Sequence, residues 1–392
     1  MLTAKSPIIR VSVEGLTMYD CIIVGAGPAG AATAYGLAQR GRRVLMLERA
    51  SLPRYKPCSG ALSPSVAEYF DFDFTPAINR KVRQVRYTWK LGDPIQSELE
   101  TQEPVWIVDR TVFDQFLVEQ AQGQGAELKD ATPVTGIELQ GNCWQVHTND
   151  GSFGAQYLVA ADGANGPTAG WLGLVQQTTR TATVLEITTP EPVGENCYLG
   201  FEFGLLKSGC LWSFPKQQGY SIGAGTFRGK NLQDLKPQLS KYARTFGVNW
   251  EQGRIYSHPI KIWNGNQKLH CDRAVVVGEA AAIVDPISAE GIRPGMISGI
   301  RAAAALHAAL NGETNALENY TQTIHNTWGE DMQWAQRIAG LFYRVPGIGY
   351  RVGIKRPTMT RRMGQLLTGE IHYADIANRV MKRLSGGLLS SS

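Results

Sequence analysis

The chain has 392 residues, 43% of them hydrophobic and 19% charged, enough for two or three domains with sizeable cores. That composition excludes wholesale disorder, collagen-like repeats and a coiled coil. Lys and Arg number 39 against 34 Asp and Glu, a net +5, too mild a charge over this surface for a nucleic-acid partner.

Residues 1–17 lack the unbroken apolar core of a signal peptide. Met18 stands just before the first strand-like run, so the extension reads as a mobile tail or a start-site artefact. Six cysteines (Cys21, Cys58, Cys143, Cys197, Cys210, Cys271) show no CxxC and no metal spacing. They read as reduced thiols of a cytoplasmic protein. Residues 21–39 are uncharged, but Gly25, Gly27, Pro28, Gly30 and Gly36 interrupt them. A strand, a tight turn and a helix fit better than a membrane span.

Tyr19–Val24 is a short apolar, β-branched run, as in a buried parallel strand. Gly25-Ala26-Gly27-Pro28-Ala29-Gly30 follows, then a helix from about Ala29 to Arg40, then a strand over Arg43–Leu47 ending in Glu48. This is a βαβ dinucleotide fingerprint in its proper context. Gly25 serves the turn, Gly27 admits the pyrophosphate, and Gly30 lets helix and strand pack. The helix N-terminus offers free N–H groups, and Glu48 is placed for a ribose. An adenine dinucleotide is predicted; this segment leaves NAD and FAD both open.

Later segments repeat the device. Val108-Asp109-Arg110-Thr111-Val112-Phe113-Asp114 opens an amphipathic helix. A strand over Tyr157–Ala161 ends in Asp162-Gly163-Ala164-Asn165. Another, Ala274–Val277, ends in Gly278-Glu279-Ala280-Ala281 and continues through Asp285-Pro286 and Glu290-Gly291-Ile292 into an Ala-rich helix. An acid, a Gly-rich turn and a helix start make a second site for phosphate or a flavin ring.

Taken in order, these motifs resemble the flavoprotein group that includes the p-hydroxybenzoate hydroxylase-type monooxygenases. Within it, the chain most resembles the geranylgeranyl reductase family, through Lys56-Pro57-Cys58-Ser59-Gly60-Ala61 and Gly209-Cys210-Leu211-Trp212-Ser213-Phe214-Pro215-Lys216. The resemblance spans about residues 18–370. It implies FAD as cofactor. Gly25, Ala26, Gly27, Pro28, Ala29 and Gly30 would hold the pyrophosphate, and Glu48 with Arg49 the adenosine ribose. Arg110 would lie near the phosphates or ribityl chain, and Val134 near the adenine. Cys58, Ser59 and Gly60 would run past the flavin. Asp162, Gly278, Glu279 and Pro286 would approach the ribityl and phosphate groups, and Gly291 and Ile292 would present backbone N–H groups to the ring. Cys58 and Trp212 are the catalytic candidates. Glu279 stands where the family has Asp, and Cys210 where it has an aromatic.

The resemblance implies an α/β architecture: a Rossmann-like FAD-binding domain, discontinuous over 18–75, 100–170 and 265–312. A β-rich substrate domain would come from 76–99 and 171–264, and a C-terminal helical region from 313–392, with a disordered tail from Leu384. Alternation through Trp212, Phe214 and Pro215 reads as sheet, either ordinary core or a wall for a lipid-like substrate. Arg54 and Lys56 put Cys58 in a basic neighbourhood. The six histidines show no HxH or HExxH, so no metal is expected, and no G-x-S-x-G supports a hydrolase. The stretch Arg344–Arg362 interleaves Arg and Lys with apolar residues. It reads as a solvated helical face or as a peripheral contact with an anionic bilayer.

The expected function is FAD-dependent reduction of isoprenoid C=C bonds. The alternatives are an NAD(P)H-dependent monooxygenase acting on an aromatic or quinone-type substrate, and a non-catalytic flavin protein. No second GxGxxG has strand–helix context, so the electron donor would be transiently bound NADPH or a ferredoxin protein.

Overall fold

The structure is a computed structural model and describes residues 16–174, 179–187, 193–226 and 235–379. The expectations for residues 1–15 and for the tail from Leu384 lie outside the described residues. Among the described residues the fold is mixed α/β, with three sheets and a helical C-terminal region.

The first strand, Met18–Val24, lies inside an eight-stranded sheet, paired in parallel with Val44–Leu47 and Gly151–Ala160. Its side chains alternate between two cores. Cys21 and Ile23 pack toward the helices. Ile22 and Val24 pack with Trp144, Val146 and Leu158, under the antiparallel hairpin Val134–Gln140 and Cys143–Thr148; Tyr19, at the strand's start, joins this second core outside the alternation. From Cys21 to Val24 the strand is covered on both faces and has no solvent side, which is why those four residues are all apolar.

Register positions the site. Val24 is level with Leu47 and Ala160, and Ala160 with Val276. The chain therefore leaves these four strands at one edge, carrying Gly25, Glu48, Asp162 and Glu279. Ligands of parallel α/β sheets gather at such carboxyl ends. Helix Pro28–Ala38 runs back from this edge. Built almost wholly of small or apolar residues, it packs closely along the long helix Ile292–Leu310.

A seven-stranded sheet stands beside the first, in the order Arg254–Lys261, Thr179–Ile187, Tyr220–Thr226, Gly209–Pro215, Leu199–Phe203, Gln84–Trp89, Gly92–Glu98. Here period-two alternation decides everything. Cys210, Trp212 and Phe214 join one core with Tyr350 and Ile354. Leu211 faces the other way, onto Ile222, Ala224 and helix Lys236–Ala243. A small sheet of Ala61–Leu62, Val105–Val108 and Ile78–Val82 bridges the two. Helices Ala316–Ile324, Glu330–Phe342 and Pro357–Thr368 close the structure.

Candidate functional site

The turn after the first strand is a cradle in which three glycines do three different things. Gly25 has φ +103, left-handed backbone that side chains rarely adopt, and a Cβ there would sit 2.5 Å from Ala161 O. A Cβ on Gly30 would sit 1.9 Å from Gly25 O. Gly27 differs: its backbone is ordinary, φ −77 and ψ −178, and the nearest atom to an added Cβ would be Arg54 Nη2 at 3.7 Å. Nothing among the described residues requires glycine at 27, yet the residue borders the cavity. The helix beyond has no side-chain cap. The amides of Ala29 and Gly30 precede its first internal bond, from Ala31 N–H to Gly27 O (2.9 Å). Vacant space, open amides and a dipole end are what a pyrophosphate needs.

Charged groups radiate from the cradle. Glu48 is buried and accepts hydrogen bonds from the amides of Ala26 and Ala50, 3.1 Å each, and from Arg54 at 3.2 Å. Arg54 also donates to Asp114 at 2.8 Å. Asp114, wholly buried, receives both arms of Arg110 at 2.6 and 2.8 Å. Burial opposes ionisation of this pair. Each partner overcomes that cost for the other, so Arg110 is raised above the ordinary arginine value and Asp114 held below the usual carboxylate range. Arg110 also lies against the Cys58 side chain. The basic side chain beside Cys58 is thus Arg110, and it, like Arg54 and Lys56, is paired with a carboxylate.

Lys56 binds Glu279 at 3.1 Å, and His258 stands 3.7 Å from the same oxygen. Burial pushes the Glu279 carboxyl up, but Lys56 and then His258 outweigh it and hold it at about 2. Glu279 is therefore an anion held by two basic side chains. The sequence spacing gave no sign of either.

One cavity joins these elements. It borders Gly27, Pro28 and Ala29, passes Cys58, Ser59, Gly60, Arg110, Gly278, Glu279, Gly291 and Ile292, and opens into an apolar chamber. Phe201, Phe203, Trp212 and Phe214 of the large sheet form one chamber wall, and Phe342, Ile354 and Met363 of the C-terminal region another. The Trp212 indole lies over Gly223, where an added Cβ would strike the ring at 2.0 Å. Its Nε1 has no partner among the described residues.

Five of the expected cofactor residues stand off the cavity lining, besides Gly25, Ala26 and Gly30, which build the turn. Glu48 is reached through Ala26 and Arg54. Arg49 is exposed beside it. Val134 begins the hairpin strand and packs on that hairpin's core. Pro286 is buried beneath the loop that carries Asp285 and Ile287. Asp162 turns inward and accepts the Thr168 amide at 2.9 Å. Burial raises its carboxyl.

The chamber also holds protic groups that sequence reasoning missed. Tyr373 donates to Asp285 Oδ2 at 2.7 Å, while Asp285 Oδ1 accepts the amides of Ile287 and Ser288. Burial raises both Asp285 and Tyr373. Tyr343 lies against Cys210 on the opposite wall. Tyr343 and Tyr373 belong to a C-terminal region with no motif around them, and only folding brings them here.

The FAD-binding domain family matches residues 18–328. A geranylgeranyl diphosphate reductase of Rhodobacter capsulatus is 28% identical, over 74% of this chain and 76% of its own. A digeranylgeranylglycerophospholipid reductase of Methanocaldococcus jannaschii is 26% identical, over 72% and 75%. The fold is shared with a geranylgeranyl bacteriochlorophyll reductase-like protein of Thermoplasma acidophilum, at TM-score 0.74 and 22% identity, over 84% of this chain and 88% of that one.

Proposed function

Since this chain belongs to the FAD-binding domain family and, within it, to the geranylgeranyl reductases, FAD-dependent oxidoreductases, we propose that it saturates isolated C=C bonds of an isoprenoid chain on a lipid or pigment precursor. The observation that carries this reading is the cavity, which runs unbroken from the phosphate cradle into a chamber walled by aromatic and aliphatic side chains. Such a chamber suits a long hydrocarbon, with few polar groups to fix its orientation.

When bound and reduced, FAD supplies the hydride for one alkene carbon. An unactivated alkene has no electron sink, so the other carbon must receive a proton in concert. Cys58 lines the cavity on the cofactor side and is one acid on the wall, with the Arg110 guanidinium, itself paired with Asp114, beside it. Tyr373, hydrogen-bonded to Asp285, is the second acid on the wall. Trp212 and Phe214 hold the chain and exclude water. The electron donor, NADPH or a reduced ferredoxin, meets the flavin transiently.

The test is anaerobic. Flavin in the purified protein is reduced with dithionite, and geranylgeranyl diphosphate or a geranylgeranylated lipid is added. Reoxidation of the flavin, with a gain of two hydrogens per double bond, is the expected result. Flavin that stays reduced until oxygen enters would sink the reading in favour of a monooxygenase. Cys58→Ala and Tyr373→Phe, each with normal flavin content, then identify the acid by which one slows reoxidation.

A further inference from the structure

The C-terminal wall of the chamber has an outer surface of unusual character. From Met332 to Gly369 the chain carries Arg337, Arg344, Arg351, Lys355, Arg356, Arg361 and Arg362 and not one Asp or Glu, although the whole chain balances to only +5. Lys355 and Arg361 pair with Asp93 and Glu100, and Arg337 lies over the Trp334 ring. Arg344, Arg351, Arg356 and Arg362 make no ion pair among the described residues, and the first three are exposed.

The same stretch exposes large apolar side chains. Leu341 is 69% exposed, Ile348 61% and Val345 41%. Elsewhere among the described residues, exposed large apolar side chains occur singly, at Tyr55, Val112 and Trp171. Scattered ones need no explanation; three within eight residues beside unpaired arginines do. The inner side of this segment is the chamber wall, through Phe342, Gly349, Ile354 and Met363.

We propose that the surface around Leu341, Arg344, Val345, Ile348 and Arg351 docks on an anionic lipid bilayer. Apolar tips that enter the acyl boundary, ringed by cations that meet lipid phosphates, are the pattern of interfacial binding. No helix among the described residues is long and apolar enough to cross a membrane, so the contact is peripheral. Nucleic acid would use the cations and leave Leu341 and Ile348 unexplained. A second copy of the chain, paired through this face, would set its cations against their own images. The proposal rests on surface chemistry alone and does not depend on which molecule is reduced.

The test uses the full-length, FAD-loaded protein and vesicles free of isoprenoids, made of phosphatidylcholine alone or with about one-third phosphatidylglycerol. Flotation should recover the protein with the anionic vesicles, little with the neutral ones, and less at high salt. Leu341→Glu with Ile348→Glu, and separately Arg344→Gln with Arg351→Gln, should each weaken binding at least about tenfold. Both double variants should keep the wild-type flavin spectrum and thermal unfolding, because their sites are exposed. Vesicle binding that survives both variants would place the contact elsewhere and overturn the proposal. So would equal binding to neutral vesicles, or a dimer in light scattering that Leu341→Glu splits.

Discussion

Gly27 and Gly30 stand three residues apart in one turn, yet they should fail in different ways. At Gly30 a Cβ would lie 1.9 Å from Gly25 O, a backbone atom that cannot swing aside. Gly30→Ala should therefore destabilise the apoprotein by about 1–3 kcal/mol or more, the usual cost of overpacking. At Gly27 the backbone is already extended and the nearest atom is the end of flexible Arg54, 3.7 Å away. Gly27→Val should leave apoprotein stability within about 0.5 kcal/mol, as for substitutions clear of packed features. Its side chain would occupy the space before the Ala29 and Gly30 amides. Losing two hydrogen bonds to a charged phosphate, about 1.5–3 kcal/mol each, weakens FAD roughly 10²–10⁴-fold. Flavin-fluorescence titration of the apoprotein gives the affinity, and thermal unfolding without FAD gives the stability. A Gly27→Val protein that binds FAD like wild type, or whose apoprotein unfolds as early as Gly30→Ala, would refute the reasoning.

Asp114→Ala leaves the guanidinium of Arg110 buried and unpaired, and should cost about 3–5 kcal/mol in denaturant unfolding. A loss below 1 kcal/mol would mean that Arg110 finds water or another partner. Glu279, lowered to about 2 by Lys56 and His258 against burial, binds fewer protons folded than unfolded between about pH 4.5 and 2. Its contribution is present above that window and is lost as pH falls through it. The Tm advantage of wild type over Lys56→Met should therefore be constant above about pH 5 and shrink toward pH 2, and a difference that grows on acidification would contradict the pairing. Gly223→Ala drives a methyl into the Trp212 indole. It should reshape the chamber wall and slow turnover of long prenyl substrates while leaving FAD affinity unchanged; equal losses in both would show that Trp212 does not act on the chamber side alone.

How much of this was legible beforehand follows from the range of the interactions. The phosphate cradle is local: strand, glycines, helix start and Glu48 lie within about thirty residues, and backbone geometry alone dictates their types. Alternation through Cys210, Trp212 and Phe214 likewise states that one face differs from the other, because side chains on a strand alternate whatever the context. What alternation leaves open is whether that face meets ordinary core or a cavity. Only the C-terminal helices, bringing Phe342, Tyr343 and Met363 opposite, decide that. The partners of buried charge are long-range as well. Glu279 meets Lys56 across 223 positions and Asp285 meets Tyr373 across 88, separations that no local pattern encodes. Sequence by itself determined the cofactor turn and the strand periodicities, because each is a property of neighbouring residues. Tertiary structure decided which charges neutralise one another, which face became a chamber and which apolar residues were left outside, because those depend on what distant segments cover.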